Sequence, residues 1–344
     1  MMRRVVGTVG GALLLAAMPA GVVAARAGLV QANAAPRTAM LLVAGVGGEK
    51  RLSDAYYGYA TAVATVASTR FGIPDSLVVV LAEDSTRARV RGRSTREQVL
   101  ASIRRLSSGM TPGDRLVIVL FGHGSAQGEE SRFNVPGPDL SAADFATALA
   151  PLREVGVLVV NTTSASGDFV KALAGPMRVV VTATRTVREQ NETMFPANFV
   201  AALTDASGAA DSDKDGRVNL LEAFTYARRE VERVFEQGNR IATEHAVLDD
   251  DGDGVGHSDA SEKGPDGPRA RALFLEPAGG ATLAADPRAA KLLAERREVE
   301  GRLEALRARR TTMSEDAYQK ALEPLMIELA EKARALKALE GRKP

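Results

Sequence analysis

The chain has 344 residues, of which 45% are hydrophobic and 25% are charged, as in an ordinary globular protein. It carries 44 lysines and arginines against 43 aspartates and glutamates. No global field attracts nucleic acid, so nucleic acid is not expected as a partner. Cysteine is absent, which excludes disulfides, thiol nucleophiles and thiolate metal sites.

The first 35 residues have the pattern of a secretory signal peptide. Two arginines precede an apolar run that ends in small residues with Ala-x-Ala spacing, so we expect cleavage between about residues 25 and 35. An uncleaved membrane anchor is the alternative, because the apolar run approaches the ~20 residues that span a bilayer. The sequence predicts an exported protein with no later membrane span, either periplasmic or secreted, and membrane-tethered if it is not cleaved.

Residues 38–204 alternate between short apolar runs and helical patterns. The runs are hydrophobic throughout, as in strands buried on both faces of a parallel sheet; they cover 38–45, 76–84, 115–122, 155–162 and 178–184. The helical patterns cover 53–71, 95–107, 142–150, 167–174 and 195–204, and Ser94 and Ser141 are the expected N-caps of two of them. This alternation predicts an α/β domain with helices on both faces of a parallel sheet.

Two polar loops follow neighbouring apolar runs. The stretch GHGS (122–125) follows the third run, and TTSASGD (162–168) follows the fourth. Ligands of such sheets lie beyond the carboxyl ends of the strands, so we expect these two loops to be neighbours in space.

This strand order, with a His-Gly pair after the third strand and a Ser-Gly turn after the fourth, resembles the caspase and legumain group of peptidases, the caspase-haemoglobinase fold of clan CD. His123 and Gly124 match the first motif of that group, and residues 133–149 are similar to the segment that follows it. Ser164 stands where the group has its catalytic cysteine. The resemblance implies a caspase-like sheet over residues 38–204, with a catalytic site at His123, Gly124 and Ser164.

Serine in place of cysteine changes the expected chemistry. A serine hydroxyl is not appreciably ionised near neutral pH, so it needs a base in direct contact and a third group that orients the base. Asp168 and Glu189 are the candidates for that third group. A vestigial site is favoured, in which backbone N–H groups near Gly124 and Ser164 hold a carbonyl oxygen or an anion and His123 is structural. The other interpretation is a hydrolase whose nucleophile is one of Ser164, Thr163 and Thr162.

The segment DSDKDGRVNLLE (211–222) has the spacing of a twelve-residue calcium loop, with Gly216 at the turn. Its expected ligands are Asp211, Asp213, Asp215, the Arg217 carbonyl, Asn219 and Glu222. These oxygens suit calcium, which takes six to eight of them. The segment resembles the loops of EF-hand proteins, which pair through an apolar eighth residue, here Val218. The alternative is a solvated acidic turn.

The segment LDDDGDGVGHSDA (248–260) begins in the same way. Its candidate ligands are Asp249, Asp251, Asp253, the Val255 carbonyl and His257. Ala260 occupies the twelfth position, so Asp259 or Glu262 would have to supply the missing carboxylate. A second metal site paired with the first, and an ordered acidic turn, both remain open. His245 lies on a helical pattern and is expected to be a packed or surface residue.

The chain divides into five segments: a signal peptide (1–35), the α/β domain (38–204), an EF-hand-like subdomain (205–275), a linker rich in Gly, Ala and Pro (276–287) and a helical hairpin (288–341). Apolar residues of the hairpin alternate spacings of four and three, as in a coiled coil. Pro324 predicts a kink in its second helix. The hairpin is expected to pack on its own body or on a second copy, and recognition of another partner is the alternative.

Together these patterns predict an exported calcium-binding protein with a non-catalytic, caspase/legumain-like fold that acts as a binding or scaffold module for a protein or peptide. The alternative is an active secreted peptidase that uses Ser164 with His123, a hydrolase with serine in place of cysteine.

Overall fold

The computed structural model describes residues 36–205, 207–215, 217–275 and 313–340. Between 288 and 312 it describes residues 288, 291, 292, 295, 296, 298, 299, 302, 303, 306 and 310. The predicted signal peptide (1–35), the turn residue Gly216 and the predicted linker (276–287) lie outside the described residues.

A seven-stranded sheet forms the centre of the protein. Its strands are β1 (Thr38–Ala44), β2 (Val78–Ala82), β3 (Val90–Arg93), β4 (Arg115–Phe121), β8 (Gly156–Asn161), β9 (Arg178–Thr182) and β10 (Val247–Asp249), in the order β10-β9-β8-β4-β1-β2-β3. All neighbouring strands are parallel except β10, which is antiparallel to β9. A small antiparallel sheet contains β5 (Gly124–Gln127), β6 (Glu130–Phe133) and β7 (Leu140–Ser141).

Helices cover both faces of the large sheet. They are α1 (Lys50–Thr69), α2 (Arg96–Ser107), α3 (Ala142–Leu149), α4 (Asp168–Leu173), α5 (Phe195–Thr204), α6 (Leu220–Gln237) and α7 (Pro268–Ala272). Alternate residues of one strand point to opposite faces. Met40 and Leu42 of β1 therefore pack in the core with α1, α5 and α6, whereas Leu41 and Val43 pack with α2, α3 and α4. The predicted α/β class and helix-flanked parallel sheet are confirmed.

Two N-caps show how local chemistry sets the helix starts. The Ser141 side chain accepts a hydrogen bond from the Asp144 N–H, and the Asp144 carboxylate accepts from the Ser141 N–H, which makes a capping box. The predicted cap at Ser94 is wrong by one residue, because the Thr95 hydroxyl accepts from the Gln98 N–H at the start of α2. Ser94 instead extends the sheet, since its N–H donates to the carbonyl of Ala82.

Residues 205–275, predicted as a subdomain, share the core of the sheet. Strand β10 pairs with β9, and Leu248 at its centre is fully buried. Leu220 and Phe224 of α6 belong to the same hydrophobic cluster as Met40. His245 lies in an irregular segment before β10, so its predicted helical position is wrong.

The carboxyl-terminal segment is a helical hairpin. The second helix, α8 (Glu315–Glu340), continues through Pro324. The described residues between 288 and 306 are helical, and ion pairs join Arg302 to Glu328 and Glu295 to Lys332. Glu295, which is earlier in the first helix than Arg302, pairs with Lys332, which is later in the second helix than Glu328. The two helices are therefore antiparallel. Within the described part of the chain, no helix is both long and apolar enough to cross a membrane.

Leu248→Ala tests whether 205–275 folds with the sheet. We expect this substitution to lower the free energy of unfolding by about 2–5 kcal/mol, because it empties space in a shared core. Denaturant titration should still show one transition for the α/β body. Ile241→Ala is the control, since the Ile241 side chain is 89% exposed and its loss should change stability by less than about 0.5 kcal/mol. A separate transition that alone shifts would contradict the shared core.

Candidate functional site

His123 follows β4 at the point where the strand order of the sheet reverses. Strands β2 and β3 lie on one side of β1, whereas β4, β8 and β9 lie on the other. Glycines let the loops beyond β1 and β4 approach closely: a Cβ atom on Gly122 would lie 3.3 Å from the Cα atom of Gly45. His123 thus lies at the switch point where open α/β sheets bind ligands.

The imidazole of His123 is held by backbone. Its Nε2 atom lies 3.1 Å from the carbonyl oxygen of Gly47, and because a carbonyl only accepts, Nε2 carries the proton. The Gly47 N–H in turn donates to the Glu83 carboxylate at 3.3 Å. The edge of the Tyr56 ring packs against the imidazole, with 5.7 Å between centroids. These contacts leave Nδ1 as the ring atom that can accept a proton.

Ser164 is a neighbour of the His123 loop, as predicted, but its hydroxyl bonds to backbone. The Ser164 hydroxyl donates to the Gly124 carbonyl at 2.9 Å and accepts from the Gly124 N–H at 3.2 Å. A Cβ atom on Gly124 would lie 2.0 Å from the Ser164 carbonyl oxygen, so glycine is required there. Ser164 is 3% exposed. Its oxygen is therefore buried and bonded away from His123, and the Gly124 N–H already has an acceptor.

The threonine hydroxyls of this turn are engaged in the same way. Thr162 is fully buried and its Oγ1 donates to the Leu120 carbonyl at 2.7 Å. Thr163 is also fully buried and its Oγ1 donates to Asn161 Oδ1 at 2.8 Å. Both hydroxyls hold the turn onto the ends of β4 and β8.

Neither candidate orienting carboxylate contacts His123. Asp168 accepts from the Ser131 N–H at 3.4 Å. Glu189 accepts from the His245 N–H at 2.9 Å and lies 3.4 Å from Nδ1 of the same residue. Among the described residues, these contacts place both carboxylates in the framework around the Ser164 turn.

A polar cleft of about 300 Å³ opens beside the His123 loop, at the carboxyl ends of β1 and β2. Its charged lining contains both signs, with Lys50 and Arg87 facing Glu83 and Asp84. The Arg87 guanidinium also lies over the ring of Tyr57, 4.7 Å from its centroid. Glu83 connects the cleft to His123 through Gly47.

The first acidic loop brings three carboxylates together. Oxygens of Asp211, Asp213 and Asp215 lie within 4.8 Å of one another. Two guanidinium groups neutralise part of this charge, since Arg217 pairs with Asp215 and Arg271 pairs with Asp213. The carboxylate of Glu222 lies outside this group of three and bonds to the loop backbone.

The second acidic loop is completed by a residue that the sequence did not indicate. Oxygens of Asp249, Asp251 and Asp266 lie within 4.8 Å of one another. Asp266 replaces Asp259 or Glu262 as the missing carboxylate, so the assignment of those two residues is corrected. It lies in the 262–271 stretch, brought back by a turn in which the Asp266 carbonyl accepts from the Ser261 N–H at 2.8 Å. Asp253 is exposed and lies outside this group of three.

Two internal hydrogen bonds are common to both loops. Residues are counted from the first aspartate of each loop. The N–H of the fifth residue donates to the carboxylate of the third residue, and the N–H of the seventh residue donates to the carboxylate of the fifth residue. In the first loop these bonds are Asp215 to Asp213 at 3.1 Å and Arg217 to Asp215 at 2.9 Å. In the second they are Asp253 to Asp251 at 2.9 Å and Val255 to Asp253 at 2.7 Å. These bonds give the third to seventh residues of both loops the same local turns.

The closing carboxylates also correspond. One oxygen of each closing carboxylate accepts from the N–H groups of the second and third residues of its loop. Glu222 accepts from Ser212 at 3.0 Å and from Asp213 at 3.3 Å. Asp266 accepts from Asp250 at 2.8 Å and from Asp251 at 3.4 Å. The other oxygen contacts the side chain of the ninth residue, Asn219 at 2.6 Å and His257 at 2.5 Å. Asp266 thus occupies the structural position of Glu222.

The two loops are joined through α7 rather than directly. The expected pairing of the loops through Val218 is not found, because each loop has another bridge partner. Asn219 bridges to Phe274 beyond α7, and the second loop closes on itself through Leu248 and His257. Asp250 accepts from the N–H groups of Gly267 and Ala270 at the start of α7. The chain from 266 to 274 therefore connects one acidic loop to the other.

Charge crowding is strongest in the second loop. Burial, helped by the nearby carboxylates of Asp266 and Asp251, raises the pKa of Asp249 to about 6. Burial likewise raises the pKa of Asp250. The hydrogen bond to Asp266 raises the pKa of His257. A cation among these carboxylates would offset the cost of keeping them ionised.

These two groups of carboxylates could each hold a metal ion. The sequence indicated five of the six residues, and it missed Asp266 because that residue lies seventeen positions after Asp249, beyond the twelve-residue spacing. The sequence does indicate a turn at this residue, since Asp266 stands between Pro265 and Gly267.

No protein-family model matches the chain, and no curated protein matches it. Among solved structures, the chain is similar to the crystal structure of protein GSU0716 from Geobacter sulfurreducens, a structural genomics target. The two are 12% identical, with a TM-score of 0.43 over 62% of this chain and 93% of the other.

Proposed function

We propose that this protein is an exported calcium-binding protein whose caspase/legumain-like α/β domain is a non-catalytic binding or scaffold module. The observation that carries the proposal is the set of matching contacts in the two acidic loops. Two segments of different sequence arrange carboxylates through the same hydrogen bonds, and each is closed by an acid in the same structural position. A solvated acidic turn has no need for such a repeated arrangement.

Calcium fits these donors better than other common ions. The residues offer carboxylate and carbonyl oxygens in loops of moderate flexibility, which suits a cation that takes six to eight oxygens at 2.3–2.6 Å. Zinc prefers sulfur or nitrogen ligands. The chain has no cysteine, and the Nδ1 atom of His257 is bonded to Asp266.

Calcium would fasten the carboxyl-terminal part of the α/β body. The first loop lies at the start of α6, and the second begins in β10 at the edge of the sheet. An ion that binds only the folded state stabilises that state by mass action. The metal sites are therefore proposed to be structural supports for the module.

The non-catalytic interpretation is supported by the hydroxyl of Ser164. A serine nucleophile needs a base in contact, whereas this hydroxyl bonds to Gly124 and is buried. The polar cleft has charges of both signs and opens at the carboxyl ends of β1 and β2, beside the His123 loop. It is the surface that we assign to a protein or peptide partner, and the hairpin is assigned to self-association.

Calcium should raise the melting temperature. A roughly hundredfold excess over Kd stabilises the folded state by about 2.7 kcal/mol, which corresponds to roughly 5–10 °C for a body of this size. In Glu222→Gln this increment should shrink, although the variant is less stable without calcium because its helix cap is altered. Glu230→Gln, on the surface of α6, is the matched control and should keep the full increment. An equal increment in Glu222→Gln would count against the first site.

Asp266→Asn tests the second site. Titration calorimetry should give two calcium ions per chain for the wild type and one for this variant, because asparagine keeps the backbone contacts and loses the charge. Asp259→Asn should keep two ions. If Asp259→Asn loses an ion instead, the closing role assigned to Asp266 is wrong.

The alternative function is a hydrolase with Ser164 as nucleophile, and the protonated Nε2 of His123 favours it by leaving Nδ1 as a base. A fluorophosphonate probe separates the two proposals. We expect no labelling of the native wild type under conditions where trypsin is labelled. Labelling that disappears in Ser164→Ala would establish the hydrolase and remove the non-catalytic proposal.

A further inference from the structure

An uninterrupted run of exposed residues joins the end of α6 to the segment before β10. Residues 236–241 are all exposed, and the Ile241 side chain is 89% exposed. Asn239 has a φ of 47°, so the chain leaves the helix by a left-handed turn. The bond between Arg240 and Ile241 lies just beyond this turn, with solvent on both sides of it.

The backbone after this bond makes no internal hydrogen bond among the described residues, although Ala242 is partly buried against the core. Arg240 donates its N–H to the Phe235 carbonyl at the end of α6, and His245 donates its N–H to Glu189. Between these two anchors, the backbone of residues 241–243 makes no hydrogen bond to any residue that the structure describes. This stretch can therefore be drawn into an extended conformation without breaking secondary structure.

We propose that the Arg240–Ile241 bond is a processing site for a trypsin-type serine peptidase, which converts the protein into a two-chain form. Such peptidases hold an arginine or lysine side chain through an aspartate in the S1 pocket. One water is consumed as the bond between the Arg240 carbonyl carbon and the Ile241 nitrogen breaks. Arg240 ends as a carboxylate and Ile241 begins as an ammonium group.

Two other exposed basic residues, Arg188 and Lys263, lie in turns that are hydrogen-bonded internally. Arg188 donates its N–H to the Thr186 hydroxyl, and the next residue, Glu189, donates its N–H to the Thr186 carbonyl. The Glu189 carbonyl also accepts from the Ala165 N–H at 2.7 Å. After Lys263, the Gly264 N–H donates to the Ser261 carbonyl. At those two sites hydrogen bonds after the cut would have to open, whereas at Arg240 only the bonds before the cut, such as that from the Arg240 N–H to the Phe235 carbonyl, would have to open.

The piece that begins at Ile241 stays attached after the cut. Glu244 is buried and accepts from the N–H groups of Met194 and Phe195 at 2.8 Å each. Val247 to Asp249 pair with β9, and Leu248 is fully buried. These contacts begin three residues beyond the cut and do not depend on the broken bond. The product is therefore a folded molecule of two chains.

Limited digestion of the native full-length protein with trypsin tests the proposal. N-terminal sequencing and mass spectrometry should find a chain that begins at Ile241 before any other bond between residues 36 and 275 is cut. Arg240→Gln should abolish this product, whereas the matched Arg188→Gln should leave it unchanged. Both pieces should elute together in native gel filtration and separate in denaturing electrophoresis.

Three results would overturn the proposal. One is an earlier cut at another bond between 36 and 275, and another is an Ile241 terminus that persists in Arg240→Gln. The third is native elution of the two pieces apart, which would show that cleavage dismantles the fold instead of producing a two-chain form.

Discussion

The pairing of β10 with β9 is only three residues long, yet the carboxyl-terminal third of the α/β body depends on it. It buries Leu248 in the same core as β1, and its last residue, Asp249, is the first carboxylate of the second acidic loop. When a metal-binding loop starts inside a sheet, the hydrogen bonds between the strands hold the backbone of its first candidate ligand in place. Such a loop pays less ordering entropy on binding than one that hangs between flexible ends.

The same edge relates the acidic loops to the switch point. Glu244 and Glu189 fasten the chain before β10 to the loop after β9, and the Glu189 carbonyl holds the Ser164 turn. Burial raises the pKa of Glu244 to about 7. Protonation is favoured in the folded state, so this group stabilises folding less as pH rises from about 4.5 towards 7. The contribution of Glu244 to the stability of the fold is therefore fully present below about pH 4.5 and is lost as the pH rises through about 7.

Local sequence patterns predicted much of the fold, and the features that they missed depend on contacts between residues far apart in the sequence. Continuous hydrophobic runs identified the parallel strands because both faces are buried, and carboxylate spacing identified Asp211 to Glu222. Asp266 could not be found by spacing, since a turn of the folded chain brings it to Asp251. The partner of Ser164 was also unpredictable, because whether its hydroxyl faces His123 or Gly124 depends on how closely two loops pack.

Glu222 has a consequence for how the first loop communicates with its surroundings. One oxygen holds the loop backbone, while the other accepts from the Asn219 N–H and so caps an eighteen-residue helix. An ion that recruits the first oxygen would compete with the loop bonds and leave the cap in place. Because both oxygens belong to one carboxylate, an ion that bound Glu222 would also restrain the first turn of α6, where slower amide exchange would report the ion from outside the loop.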